Sequence, residues 1–255
     1  MRLIIKIGTS TLTHPSGRLN IRLVGQLCKI ISDLKNAGHE IVLVSSGAIG
    51  MGVGKLNLSS RPTDMPTKQA AAAVGQCELM YVYDKLFSEY NHTVAQILIT
   101  GEDVQNELRR KHFENTVFKL LELNALPIIN ENDTVSTEEI TVGDNDRLAA
   151  IVAVSAKADL LVLLSDIEGL YTADPKENNN ARLIPVVDKI DEDILSHAGG
   201  AGSLLGTGGM TTKLKAAQLC TENGIDMIIT NGENPENLYK AVEGINTGTR
   251  FLSKK

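Results

Sequence analysis

No two cysteines stand close together in this chain. Cys28, Cys77 and Cys220 are the only three, and their scatter argues against a disulfide framework or a zinc site; they read as small core residues of a reduced, cytoplasmic protein. Excess basic charge is also missing. A formal net charge of −6 gives no general electrostatic reason to bind nucleic acid or an anionic membrane surface, so any anion site has to be local. No apolar run approaches the length of a bilayer span, and the chain enters a strand without a charged-then-apolar leader. Low-complexity segments and internal repeats are absent too. With 42% hydrophobic residues in 255, a substantial core is expected.

Short apolar runs alternate with amphipathic stretches. RLIIKI is followed by IRLVGQLCKIISDLKNAG, apolar at Ile21, Val24, Leu27, Ile31 and Leu34, and then by EIVLVSS; Gly38 is placed to stop the helix. The alternation continues through a long helical stretch from about Thr67, then TVAQILIT, ENTVFKLLELN, PIIN, DRLAAIVAVSAKA, LLVLLS, TTKLKAAQLCTENG, DMIIT, NPENLYKAVEG and TRFL. Repeated βα units predict an α/β fold with a mainly parallel sheet and helices on both faces. DPKENNNARL reads as a surface excursion, and one domain over residues 1–255 is expected. In the long helix, Ala70 to Ala73, Leu79, Val82 and Leu86 suit a core face, with an interface as the alternative.

Polar and glycine residues gather where such strands end, which is where open parallel sheets bind ligands. Lys6 lies inside the strand LIIKI. A buried ammonium needs a partner, and phosphate meets that need beside backbone amides freed by Gly8; a lysine whose stem packs while its head reaches solvent is the alternative. VSSGAIGMGVG offers serines and glycines at the next strand end, either as an anion-facing turn or as a flexible loop. GTGGMTTKLKAA places Thr211, Thr212 and Lys213 at a helix start, where open N–H groups, hydroxyls and an ammonium coincide. It lacks the spacing of a P-loop, and a plain N-cap is the other reading. NENDTV and GDNDRLAA put Asp133, Asp144, Asn145 and Asp146 at strand and helix ends, where carboxylates often cap. Asp146 between two lysines would keep them charged and aimed, and Asp133 could accept from an amino-acid ammonium group. His14, His39, His92, His112 and His197 lie outside all these segments. Phosphoryl transfer to a carboxylate needs no histidine base, because the acceptor is already ionised at neutral pH.

KIGTSTLT, VSSGAIGMG, INENDTV, GDNDRLAA, LLSDIEGLYTADP and GTGGMTTKLKAA, in this order between Lys6 and Thr230, resemble the amino acid kinase family. Within it they look like the branch that phosphorylates free L-glutamate. N-acetylglutamate kinases usually carry a second glycine after KIG, where this chain has Thr9, and lack the INEND and GDND pair. The resemblance implies a three-layer αβα sandwich and transfer of the γ-phosphoryl of ATP, with Mg2+, to the glutamate side chain in the first step of proline biosynthesis. By position, Lys6 and Lys213 would stabilise the transferring group and Asp146 would orient them. Ser46, Asp133 and Asn145 would hold glutamate. Ser165, Asp166, Thr207, Gly208, Gly209, Met210, Thr211, Thr212 and Lys213, with Lys6, would line the nucleotide site. No protein metal ligands are implied, magnesium being held by nucleotide phosphates and water. Proline as an inhibitor, a homo-oligomer (dimer or tetramer) and hand-off of the acyl phosphate to glutamyl phosphate reductase are expected on the same ground. Many relatives continue into a C-terminal PUA domain, which is not expected here. The competing readings are a sister kinase for N-acetylglutamate or aspartate, separable by substrate competition, and a non-catalytic amino-acid sensor, which would have lost a lysine or Asp146.

Overall fold

In the computed structural model, which describes residues 1–14, 18–135, 145–197 and 209–254, strands and helices alternate from the first residues. They are β1 (Arg2–Ile7), α1 (Thr9–Leu12), α2 (Ile21–Asn36), β2 (Glu40–Ser45), α3 (Ala48–Lys55), α4 (Met65–Ser88), β3 (Val94–Ile99), α5 (Gly101–Gln105) and α6 (Glu107–Glu122). Then follow β4 (Leu126–Glu131), α7 (Asn145–Ser155), β5 (Leu160–Ser165), β6 (Val186–Val187), α8 (Glu192–Ser196), α9 (Met210–Glu222), β7 (Asp226–Asn231), α10 (Asn237–Val242) and β8 (Thr249–Phe251). The described strands form one eight-stranded sheet in the order β3-β4-β2-β1-β5-β7-β8-β6. All pairings are parallel except β7 with β8.

Side chains of a strand alternate between faces, and both faces of this sheet are covered. Leu3, Ile5 and Ile7 of β1 pack with Leu27, Leu79, Tyr83 and Leu238 from α2, α4 and α10. Ile4 points the other way, into a core with Val117, Val152 and Leu214 from α6, α7 and α9. The result is the three-layer αβα sandwich. Lys6 has the parity of Ile4, so its side chain enters the layer of α7 and α9. Among the described residues, no helix is long and apolar enough to cross a membrane.

The short elements α1, α5, α8 and β6 are not among the expected segments, and two longer stretches also differ from the sequence expectation. VSSGAIGMGVG contains α3 rather than a loop. Gly50, Gly52 and Gly54 lower its helix propensity, but they also let it lie almost backbone to backbone on α4. A Cβ on Gly52 would stand 1.8 Å from the Ala71 carbonyl oxygen, and one on Gly75 would stand 1.7 Å from that of Ala48. Packing therefore overrides propensity, and the two helices are locked in register. Helix α6 begins at Glu107, one side-chain cap from Asn106 ahead of it, because its charged first turns are exposed and only Phe113, Val117 and Leu121 carry the apolar stripe. Gly38 ends α2 as expected, at φ +92°. In α4 the buried face is Ala71, Ala72, Gly75, Gln76, Leu79, Tyr83 and Phe87, so the core reading of that helix holds with the stripe rotated from the positions expected.

Candidate active site

β1 is flanked by β2 on one side and β5 on the other, and the chain leaves these two neighbours in opposite directions across the sheet. That is a topological switch point, where strand-end turns diverge and leave a crevice. Around it lie the end of β1 with Gly8, the end of β2 with Ser46, and the end of β5 with Ser165. Gly47 takes a left-handed backbone (φ +98°), and a Cβ there would meet Leu12 at 3.3 Å, so glycine is required for the turn into α3.

The charge question raised by Lys6 is answered inside this crevice. Its Nζ lies 2.6 Å from Asp146 Oδ1, and Lys213 Nζ lies 2.9 Å from Asp146 Oδ2. Asp146 enters from the first turn of α7 and Lys213 from the first turns of α9, two helices packed on the same sheet face. The Asp146 side chain is 2% exposed. Burial alone would push its carboxyl up, but Lys6 and Lys213 outweigh burial and hold it down at about 2. One carboxylate thus aims two ammonium groups, and the trio keeps a net positive charge beside the strand ends.

A Cβ on Gly8 would sit 3.7 Å from Lys6 Nζ and 3.7 Å from Ser10 Oγ. The fold tolerates that distance, so glycine here keeps the space in front of the ammonium clear. Helix α9 starts at Gly209 without a side-chain cap, leaving first-turn N–H groups for an acceptor from outside the helix. The Thr212 hydroxyl donates to the Gly209 carbonyl at 2.8 Å, which modifies the expectation that both threonine hydroxyls point toward an anion. Thr211 is exposed and Met210 half-buried. Thr207 and Gly208, like Asp144, lie outside the described residues. Ser165 closes β5, buried, and its hydroxyl donates to the exposed Asp166 carboxylate at 3.1 Å.

On the β2 and β4 side, Asn145 Nδ2 donates to the Ser45 carbonyl at 3.0 Å, to Ser46 Oγ at 2.9 Å and to Asn130 Oδ1 at 3.0 Å. Asn145 and Ser46, expected to share a substrate, are therefore joined, and Asn145 is directly followed by Asp146. Asp133 stands apart on the turn after β4, without a hydrogen bond to Ser46 or Asn145 among the described residues. Its partly buried carboxyl is pushed up to about 6 by burial, against the pull of Arg61.

Two residues of this cluster, Asn130 and Gln76, whose Oε1 accepts from Asn130 Nδ2, escaped the sequence reading. Asn130 was inside a recognised motif without a role of its own. Gln76 was hidden in the alanine-rich helix, where the available signal was an amide on a face otherwise made of Ala72, Gly75, Leu79 and Tyr83.

The model of the amino acid kinase family matches residues 1–231. The chain is 54% identical to the glutamate 5-kinase of Clostridium acetobutylicum over 253 residues, covering 99% of this chain and 95% of that protein. It is 54% identical to the glutamate 5-kinase of Clostridium tetani, with the same coverage. The crystal structure of UMP kinase from Ureaplasma parvum superposes with a TM-score of 0.67 over 99% of this chain and 98% of that one, at 16% identity, which is a likeness of fold. The cation pair held at the switch point, the sandwich around it and the family match over nearly the whole length agree, and the chain belongs to the amino acid kinase family.

Proposed function

We propose that the chain transfers the γ-phosphoryl group of ATP to the side-chain carboxylate of L-glutamate, giving L-glutamyl 5-phosphate and ADP, the first step of proline biosynthesis. The observation that carries this reading is the Asp146 carboxylate gripping Lys6 and Lys213 at 2.6 and 2.9 Å. A carboxylate oxygen of the acceptor forms the new bond to phosphorus, the bond to the β-phosphate oxygen breaks, and ADP leaves with the electron pair. No proton has to move, so positioned positive charge is the main requirement. Lys6 supplies it from β1 and Lys213 from α9, and Asp146 keeps both aimed.

Ser46 and Asn145 would hold the amino acid, with Asp133 accepting from its ammonium group. Ser165, Asp166 and the start of α9 from Gly209 to Lys213 would line the nucleotide, with Thr207 and Gly208 before it. Magnesium would travel with the nucleotide phosphates, since this ion commonly keeps phosphate and water ligands. The same reading takes residues 1–255 as one cytoplasmic kinase domain forming a homo-oligomer, with proline as inhibitor and glutamyl phosphate reductase as the recipient of the product.

The test is ATP turnover with magnesium, trapping acyl phosphate with hydroxylamine, using L-glutamate, N-acetyl-L-glutamate, L-aspartate and no acceptor. Hydroxamate with L-glutamate alone is expected. Preference for another acceptor would overturn the substrate assignment, and no hydroxamate with any acceptor would overturn the kinase reading.

Asp133 gives a pH signature. To accept from an ammonium group it must be ionised, so kcat/KM for glutamate should rise as pH climbs through about 6 and then level off. The sign on stability is opposite: a carboxyl held above its unfolded value costs folding free energy as pH rises between the two values. Asp133→Ala should raise the glutamate KM about tenfold or more, leave the ATP KM alone and abolish the titration. An unchanged glutamate KM would remove Asp133 from the pocket.

A further inference from the structure

Gln76 is 8% exposed, and its Nε2 is buried without a hydrogen-bond partner among the described residues. A buried donor left unpaired costs about 1–3 kcal/mol, whereas a methionine or leucine would continue the apolar face of α4 at no such cost. Something must offset the loss, and the other end of the amide shows what it is. Gln76 Oε1 accepts from Asn130 Nδ2 at 2.9 Å.

The direction of this contact is fixed by backbone groups that have only one role. Asn130 Oδ1 accepts from the Glu131 backbone N–H at 2.9 Å, so Asn130 must turn Nδ2 toward Gln76, and Gln76 must answer with oxygen. At the far end, Asn145 Nδ2 is fixed by the Ser45 carbonyl at 3.0 Å and reaches Asn130 Oδ1 at 3.0 Å. Every hydrogen bond that the described residues make to the Asn145 side chain goes to Nδ2. Its Oδ1 is the edge left for a substrate. The base of this relay cannot drift, because Gly75, next to Gln76, is pressed on the Ala48 carbonyl of α3, two residues from Ser46.

We propose that Gln76 is a positioning residue for the amino-acid substrate: through Asn130 it holds the Asn145 amide so that Oδ1, an acceptor, faces the substrate's ammonium group. An acceptor beside the Asp133 carboxylate favours a free primary ammonium and penalises an N-acylated amine, which has lost the charge and two of the donors. Gln76 itself touches neither substrate nor phosphate, so its effect is on binding and selectivity and not on the transfer step. This inference rests on the glutamate kinase reading.

The experiment compares the full chain with Gln76→Met, Gln76→Leu and Gln76→Glu, reading KM for L-glutamate, KM for ATP, kcat, the rate ratio of L-glutamate to N-acetyl-L-glutamate, and the melting temperature. Met and Leu lack the acceptor oxygen and should raise the glutamate KM about tenfold and narrow the selectivity ratio, with kcat and ATP KM within about threefold. Glu keeps an oxygen for Asn130 and should bring the glutamate KM back to within about threefold of the parent. A normal glutamate KM in the Met or Leu variant overturns the proposal. So do equal losses in all three variants, a parallel rise in the ATP KM, or failure of both acceptor-free variants to fold, each of which marks a packing role. A parent chain that makes no hydroxamate with L-glutamate fails the underlying reading before any variant is compared.

Discussion

Lys213→Ala is expected to lower kcat by about a hundred- to a thousandfold while the chain still folds and still binds ATP. The ammonium it removes lies 2.9 Å from Asp146 Oδ2, in a setting only 6% exposed, so water cannot replace the charge cheaply. A charge of this kind acts where negative charge redistributes as the phosphoryl group transfers, and its loss therefore falls on kcat more than on either KM. The fold survives for a specific reason: Asp146 keeps Lys6 at 2.6 Å, so no buried carboxylate is left unpaired, and alanine suits a helix interior. The lost contacts of the lysine stem cost about 1–3 kcal/mol, a drop of several degrees in Tm. Steady-state kinetics with both substrates and a thermal melt decide it. Turnover within tenfold of the parent would show that Lys213 only balances Asp146.

Much of this was legible because parallel sheets with covered faces leave a strong trace. The run LLVLLS is apolar at every position but the last, and it becomes β5 from Leu160 to Ser165, buried throughout. Lys6 was legible for the same reason, since a cation in such a run has to meet a charge. The pattern around Lys6 does not say which charge comes first; Asp146 is expected there only from its place in the GDNDRLAA motif, and the ion pairs agree. Asp146 is a residue 140 positions away, brought under β1 by α7. Register across a sheet is a tertiary fact, and no local pattern around either residue encodes it.

Helix α3 was lost for a different reason. Local propensity reads AIGMGVGK as irregular, yet the absence of side chains at Gly52 and Gly75 is what allows α3 and α4 to touch. Glycine there is a packing device, and it is invisible until the partner helix is known. Gln76 is the converse case. Its spacing from Ala72 and Leu79 assigns it to the buried face, but a polar residue in a helical stripe says nothing about its target. The hydrogen bond to Asn130 crosses 54 positions, from a helix of one layer to the end of a strand.

Asp146→Asn is expected to separate binding from chemistry most sharply. Asparagine keeps the shape and loses the charge that holds two buried ammonium groups. Removing one partner of a buried ionic cluster typically costs about 3–5 kcal/mol, and here the two remaining cations also repel each other. In the parent, the carboxyl sits at about 2 because Lys6 and Lys213 outweigh burial. Its contribution is therefore complete above the ordinary carboxylate range near pH 4 and fades as pH falls from there toward 2. The acid side of the stability curve should lose that slope in the variant. At neutral pH the variant should melt well below the parent, and added ATP should recover more of the loss than it adds to the parent, because the phosphates then supply the missing negative charge. Turnover should still fall at least a hundredfold, since ammonium groups held only by the nucleotide follow it and no longer direct it. Thermal melts with and without ATP, set beside kcat, test the pair of effects together. Equal stabilisation of parent and variant by ATP would mean that Lys6 and Lys213 do not meet the phosphates, and the assignment of both lysines would fall with it.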